Sequence, residues 1–293
     1  MTKVKISGFT IVRNAIKYDY PIVESIKSIL PIVDEYIVAV GRSDDGTLDL
    51  IQSINSEKIK IIETVWDDNL REGGEVLSVE TNKAFDAVSK DSDWCFYLQG
   101  DEVVHEKYHE EIMKKCVEFK DDKLVEGLLF GYKHFYGSYD YIGDSRTWYR
   151  NEIRIIRNDK SIRSYRDAQG FRKNGMKLFV KKINAEIFHY GWVKDPGSQQ
   201  EKQKSFHKMW HDDNWMKEHV GEANDYDYSL IDSLVLFKDS HPAVMSERLQ
   251  RMSWNFKWDA KKKKFKFKDW LLYRFEKLTG IRLFEYRNYK LLK

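Results

Sequence analysis

The sequence predicts an α/β fold, a doubly wound and mostly parallel sheet flanked by helices, followed by a basic helical extension at the C-terminal end. Three observations predict it. Short apolar runs alternate with amphipathic segments over roughly the first hundred residues. The runs are continuously apolar, as expected of strands buried on both faces. They end abruptly in polar or glycine-containing corners, most sharply at Gln99-Gly100-Asp101-Glu102.

The elements follow in order. Lys5 to Val12 is rich in β-formers and stops at Arg13-Asn14. Ile22, Val23, Ile26, Ile29 and Leu30 then recur at helical spacing, and Pro31 stops that helix. Tyr36 to Val40 is a second strand. The turn Ser43-Asp44-Asp45-Gly46-Thr47 opens a helix carrying Leu48, Ile51 and Ile54, and Lys58 to Ile62 forms a third strand. Glu80 to Ser89 reads as a helix and Trp94 to Leu98 as a fourth strand. In such sheets ligands bind beyond the carboxyl ends of the strands. Arg13-Asn14, Gly41 to Thr47 and the Gln99 to Glu102 corner all lie there.

Beyond residue 106 the pattern changes. Glu126 to Gly137 and Asn151 to Asn158 are β-like and rich in aromatic residues and arginine. Lys177 onward is again strand-like, ending at His189-Tyr190-Gly191-Trp192, and the chain after Pro196 reads as helical. The expected organisation is a domain over 1–240, with one half to about residue 106 and a second over 107–240, and an extension over 241–293.

Composition narrows the class. Only four prolines in 293 residues argue against long linkers. No apolar run approaches the ~18 residues of a membrane span, and the first residues lack a signal-peptide pattern. Cys95 and Cys116 show no metal spacing and are expected to be reduced core thiols of a cytoplasmic protein. From Lys257 to Lys293 there are 13 Lys and Arg against four Asp and Glu, a +9 tail on a chain whose net charge is +3.

No dinucleotide fingerprint, phosphate loop or nucleophile elbow follows the first strand. The pieces present are "FTIVRNA", "VDEYIVAVGRSDDGTLDLI", "EGGEVLSVETNKAF" running to "WCFYLQGDEVVHE", "SYRDAQGFR" and "IFHYGWVKDP". In this order they resemble a glycosyltransferase of family 2, with the nucleotide-diphospho-sugar transferase (GT-A) fold, from about Ile6 to Pro196. Two positions depart from that pattern. Gln99 stands where the D-x-D motif has its first Asp, and Val40 stands where the base-contacting Asp is expected.

The resemblance implies an inverting sugar transfer that expels a nucleoside diphosphate, with UDP-sugar the first donor to consider and Mn²⁺ or Mg²⁺ as the cation. A divalent ion at a nucleotide takes one or two carboxylates plus phosphate oxygens and water. Asp101 and His189 are the expected ligands. Asp167, in "RDAQGFR", is the expected base for the acceptor hydroxyl, with Glu102 and Glu152 in reserve. Thr10, Val12, Arg13, Asn14, Val40, Gly41, Asn82, Gln99, Gly100, Gln169 and Arg172 are expected along the nucleotide sugar. The acceptor is expected to be a glycan or lipid-linked saccharide, as in polysaccharide biosynthesis.

Other features have their own readings. His207 and His211 share a helix face at i, i+4, but Lys208 occupies the glutamate position of a zinc-protease motif. Arg71 to Glu75 is a glycine turn, either a loop near the diphosphate or a helix entry. The tail alternates lysine with aromatics over Lys261 to Lys268 before a helix with Trp270, Leu271, Leu272, Phe275 and Leu278. It is either a lid packed on the domain or a peripheral contact with the inner face of an anionic membrane. No nucleic-acid recognition motif is present. Beside the transferase reading stand a non-catalytic nucleotide-sugar-binding relative, motivated by Gln99 and Val40, and a zinc metallohydrolase using His207 and His211.

Overall fold

A computed structural model describes residues 4–219 and 223–293. Its first half alternates strands and helices: β1 (Ile6–Val12), α1 (Ile22–Ile29), β2 (Glu35–Gly41), α2 (Thr47–Gln52), β3 (Ile59–Thr64), α3 (Glu75–Asp86) and β4 (Trp94–Tyr97). After the Gln99 corner come β5 (Glu102–Val104), α4 (His109–Glu118), β6 (Gly127–Tyr136), β7 (Ser138–Gly143) and β8 (Asn151–Arg157). A small meander follows, β9 (Ile162–Tyr165), β10 (Gly170–Lys173) and β11 (Met176–Lys177), then the long β12 (Phe179–Trp192). The chain closes with α5 (Pro196–Lys208), α6 (Asp213–His219), β13 (Leu234–Leu236), α7 (Ser246–Gln250), α8 (Phe267–Thr279) and β14 (Lys290–Leu291).

The main sheet runs β13-β7-β6-β8-β4-β1-β2-β3, with β12 joined to β6, β5 and β14. Strands β3, β2, β1 and β4 are parallel; β8 joins β4 antiparallel and begins the mixed half. This is the helix-flanked α/β, GT-A-type sheet that the sequence predicts. Alternate residues of each strand serve opposite faces. Ile6, Val38, Trp94 and Phe96 pack toward α1 and α4. Phe9, Ile37 and Tyr97 pack toward α3, where the Phe9 ring lies 5.5 Å from Phe85 and 5.2 Å from Tyr97. Both cysteines are free and buried, and burial pushes the Cys95 thiol up to about 12.

Two expectations are corrected. Helix α3 begins at Glu75 rather than Glu80, because Gly74 lies in the left-handed region at φ 72° and starts the helix earlier. The helical stretch after Pro196 is two helices, α5 and α6, separated at 209–212. The tail also returns to the main sheet. Strand β14 pairs with β12 in parallel, Phe179 opposite Lys290 and Val180 opposite Leu291.

Candidate functional site

Strand β4 delivers Gln99 to Glu102 to the carboxyl edge of the parallel strands. The corner is held from below. Glu102 is fully buried and accepts two bonds from Arg154, each 2.7 Å, plus one from the Tyr132 hydroxyl at 2.8 Å and one from the Gln99 amide at 3.1 Å. Burial opposes the charge of Arg154, but Glu102 beside it holds the guanidinium well above its usual range. Glu102 is therefore committed to structure and is not a free base. Glu152 is committed as well: buried, it accepts from Asn288 Nδ2 at 3.2 and 3.3 Å, and burial raises it to about 7.

Asp101 and His189 converge although 88 positions separate them in the chain. The pairing of β5 with β12 places His189 opposite Glu102, next to Asp101. His189 Nε2 lies 3.7 Å from Asp101 Oδ2. A Cβ on Gly191 would come within 2.6 Å of both atoms, so only glycine permits this approach. Burial opposes the charge of Asp101, yet Lys202 and His189 hold its carboxyl well below the usual range.

The hydrogen bonds orient the His189 ring. His134, buried on β6, places Nε2 2.8 Å from the Tyr149 carbonyl oxygen and Nδ1 3.0 Å from His189 Nδ1. A carbonyl only accepts, so His134 donates through Nε2. Burial, and next the neighbouring His189, hold His134 well below its usual pKa, so it is neutral and its Nδ1 accepts. His189 then donates through Nδ1 and turns Nε2 toward Asp101. That donor set, with a histidine oriented through its second nitrogen, fits a divalent cation. Among the described residues no third His, Cys, Asp or Glu joins the pair, so diphosphate oxygens and water would complete the coordination.

Two lysines from the segment after His189 share this corner. Lys202, on α5, donates to Asp101 Oδ2 at 3.0 Å and to the Gly191 carbonyl at 2.8 Å. Lys194 is fully buried and donates to the Asp19 carbonyl at 2.5 Å. Burial, and then Lys202, lower the Lys194 ammonium to about 7. Both ammonium groups lie about the Tyr20 ring, at 4.9 and 5.0 Å from its centre.

The expected base reaches the same edge. The Gln99 side chain donates to the Ala168 carbonyl at 3.4 Å, and Arg154 donates to the Gln169 carbonyl at 3.2 Å. This brings the turn 166–169 over the corner. Arg166 and Ala168, on either side of Asp167, both adopt positive φ, 53° and 57°. Non-glycine residues there store strain, which gathers at functional sites. Burial raises the Asp167 carboxyl above its ordinary value, with backbone hydrogen bonds offsetting part of the shift. Gly74, in the Arg71 to Glu75 turn, packs against Asp167 and Trp210, and Arg71 donates to the Lys208 carbonyl at 2.7 Å. The glycine turn thus joins the turn that carries Asp167 to the end of α5.

The other expected residues divide. Thr10 bonds the Leu98 carbonyl at 2.5 Å, and Val12 lies opposite Val40 across β1 and β2. Gly41 packs so closely on Trp66 that a side chain there would collide with the indole, and the Arg13 guanidinium lies 5.7 Å from the same ring. Asn14 accepts from the Asp44 amide at 3.2 Å, and Gly100 lies near Tyr20 and Ile22. These residues share the carboxyl edge with Gln99 and Gln169. Asn82 and Arg172 do not join them. Asn82 bonds both backbone groups of Ser164, at 2.9 and 3.1 Å, and Arg172 lies 4.1 Å from the Tyr165 ring and bonds Asn288. His207 stacks on His211, which stacks on Trp215 at 3.5 Å, and no further metal-ligating group joins them among the described residues. Trp66, His134, Lys194 and Lys202 were absent from the sequence-based site.

No family model and no curated protein matches the chain. Solved structures do. S. aureus TarS is 16% identical with a TM-score of 0.40, covering 69% of this chain and 39% of that one. S. aureus TarS 1-349 in complex with UDP gives the same identity and TM-score, covering 69% and 64%. Glucosyl-3-phosphoglycerate synthase from Mycobacterium tuberculosis, in complex with Mn²⁺, UDP and phosphoglyceric acid, is 16% identical with a TM-score of 0.30, covering 45% and 43%. The chain spans about two fifths of the longer TarS chain.

Proposed function

We propose that this protein is an inverting glycosyltransferase that moves a sugar from a nucleotide-diphosphate sugar, UDP-sugar first, to a hydroxyl of a glycan or lipid-linked acceptor. The observation that carries the reading is the approach of His189 Nε2 to Asp101 Oδ2, 3.7 Å, at the carboxyl edge of a parallel sheet with two lysines beside it. A bound Mn²⁺ or Mg²⁺ would supply Lewis-acid neutralisation of the departing diphosphate. Asp101 and His189 would hold it. Lys194 and Lys202 place positive charge where the diphosphate oxygens gather. Asp167 accepts the proton of the acceptor hydroxyl as that oxygen bonds to the anomeric carbon and the sugar–phosphate bond breaks. A calorimetric screen of nucleoside diphosphates with and without Mn²⁺ tests the reading. Binding of UDP, strengthened by the metal, is the expected result; failure of every nucleoside diphosphate to bind would remove it.

The tail supports a peripheral membrane contact. Helix α8 packs on the body through polar groups: Tyr273 and Lys277 bond Asp144 at 2.5 and 2.6 Å, and Glu276 pairs with Arg146 at 2.8 Å. Phe267, Trp270, Leu271, Phe275 and Leu278 are exposed beside the exposed Lys266, Lys268 and Arg274. An apolar face turned outward with lysines along it matches an anionic bilayer surface, where each lysine contributes on the order of 1 kcal/mol. No described helix is long and apolar enough to cross a membrane. The protein is expected to co-sediment with anionic vesicles, to dissociate steeply as salt rises, and to lose binding when Trp270, Leu271 and Phe275 become Ser. No sedimentation at low salt would refute the contact.

A further inference from the structure

We propose that Lys202 is an exchangeable counter-ion: its ammonium neutralises Asp101 before the donor arrives and passes to a diphosphate oxygen when a divalent cation takes the carboxylate. The inference rests on the nucleotide-sugar reading above and adds a residue to it.

The geometry puts Lys202 in competition with the cation. Its ammonium and His189 Nε2 address one and the same oxygen, Asp101 Oδ2, at 3.0 and 3.7 Å. Both partners of the ion pair are nearly buried, with side-chain exposures of 11% and 12%. A buried carboxylate without a counter-charge is costly, so the pair stabilises the corner when no cation is present. A divalent ion on Asp101 removes that need, because an ammonium beside it meets like charge. Lys202 then keeps only the Gly191 carbonyl among its two bonds.

Two lysines share this corner with one carboxylate. Lys194 lies on the same Tyr20 ring, and among the described residues no carboxylate is within ion-pair distance of its ammonium. A diphosphate supplies the missing anion. The position of Lys202 on its helix separates it from its neighbours. Asp195 caps α5 by accepting from the Ser198 amide at 3.0 Å, which fixes the first turn and sends Lys202 inward. Lys204, two residues on, pairs with Glu201 at the surface instead.

The consequence is reciprocal coupling. Metal alone must displace Lys202, whereas metal with diphosphate gives the lysine a new partner. Each ligand therefore raises affinity for the other, beyond their direct contact. Lys202→Met removes the competitor and the phosphate contact together. It should tighten Mn²⁺ alone, read by electron paramagnetic resonance, and weaken UDP in the presence of Mn²⁺, read by calorimetry, so that the cooperativity between them falls about tenfold. Lys202→Arg should keep most of the cooperativity, and Lys204→Met all of it. Unchanged or weaker binding of Mn²⁺ alone to Lys202→Met would overturn the proposal. A measurement on the wild-type protein does not depend on the variant folding: the side-chain ammonium resonance of Lys202 should shift when Mg²⁺ and UDP are added together. An unmoved resonance under saturating ligands would also overturn it. Failure of the wild-type protein to bind UDP at all would instead remove the nucleotide-sugar reading and the phosphate half of this one, and the Mn²⁺-alone comparison would still judge the exchange at Asp101.

Discussion

Replacing Asp167 by Asn is expected to lower turnover by about 10²- to 10⁴-fold, the range for a positioned general base, while donor affinity stays near wild type. Asn keeps the shape and the backbone contacts of the turn but cannot take a proton. The burial that raises the Asp167 carboxyl sets the accompanying pH dependence. A base works only when ionised, so its contribution is lost as pH falls through that raised value. The acid limb of the wild-type profile should therefore lie above the ordinary aspartate value of 3.8, and it should vanish from the residual activity of the variant. Stability runs the other way. A carboxyl raised in the folded state contributes stability below its unfolded value and loses it as pH rises through the folded one. At neutral pH Asp167→Asn should thus be as stable as wild type or more so, and a fall in turnover is not a fall in folded protein. Full turnover in the variant would remove Asp167 from the chemistry.

Arg154→Met is expected to cost about 3–5 kcal/mol of stability, because it leaves the fully buried Glu102 without its partner. The two side chains have no exposed surface and meet through two bonds of 2.7 Å. The guanidinium also lies 5.4 Å from the rings of Tyr97 and Tyr132 and holds the Gln169 carbonyl, so it ties the Gln99 to Glu102 corner to the Asp167 turn. Denaturant unfolding measures the loss. The double variant Arg154→Met with Glu102→Gln should recover much of it, since the uncompensated charge is gone. A single-variant loss under about 1 kcal/mol, the scale of an exposed pair, would show that the corner does not depend on this pair.

The parallel half of the sheet was legible because its strands are buried on both faces. Tyr36 to Val40 and Trp94 to Leu98 stand out as unbroken apolar runs; β2 contains the first, and β4 contains the second up to Tyr97. The start of α3 was hidden because Gly73-Gly74, which reads as a loop, supplies the left-handed turn that launches the helix. Short strands such as β5, β10 and β14 carry two to four residues, too few for a period to show. At the site, motif resemblance singled out Asp101 and His189, which the fold places together. The residues that contact them were not legible. His134 meets His189 across a strand pairing 55 positions away, and Lys202 reaches Asp101 over 101 positions. The bonds of Asn82 and Arg172 were hidden for the same reason, since their partners Ser164 and Asn288 are distant in the chain. The tail helix was visible in its spacing, but that spacing does not tell which face is outward. Charges bind α8 to the body and leave the aromatics exposed.

The central claim is that Asp101, at the tip of β4, holds the cation that a nucleoside diphosphate shares. Titration of UDP into the wild-type protein and into Asp101→Ala, each with and without Mn²⁺, tests it most directly. The wild-type affinity should rise with Mn²⁺ by about 10- to 100-fold, the range in which ligand-shell changes act on metal sites. The variant should bind UDP equally with and without the metal, through Lys194 and Lys202. The same metal enhancement in Asp101→Ala as in wild type would contradict the account.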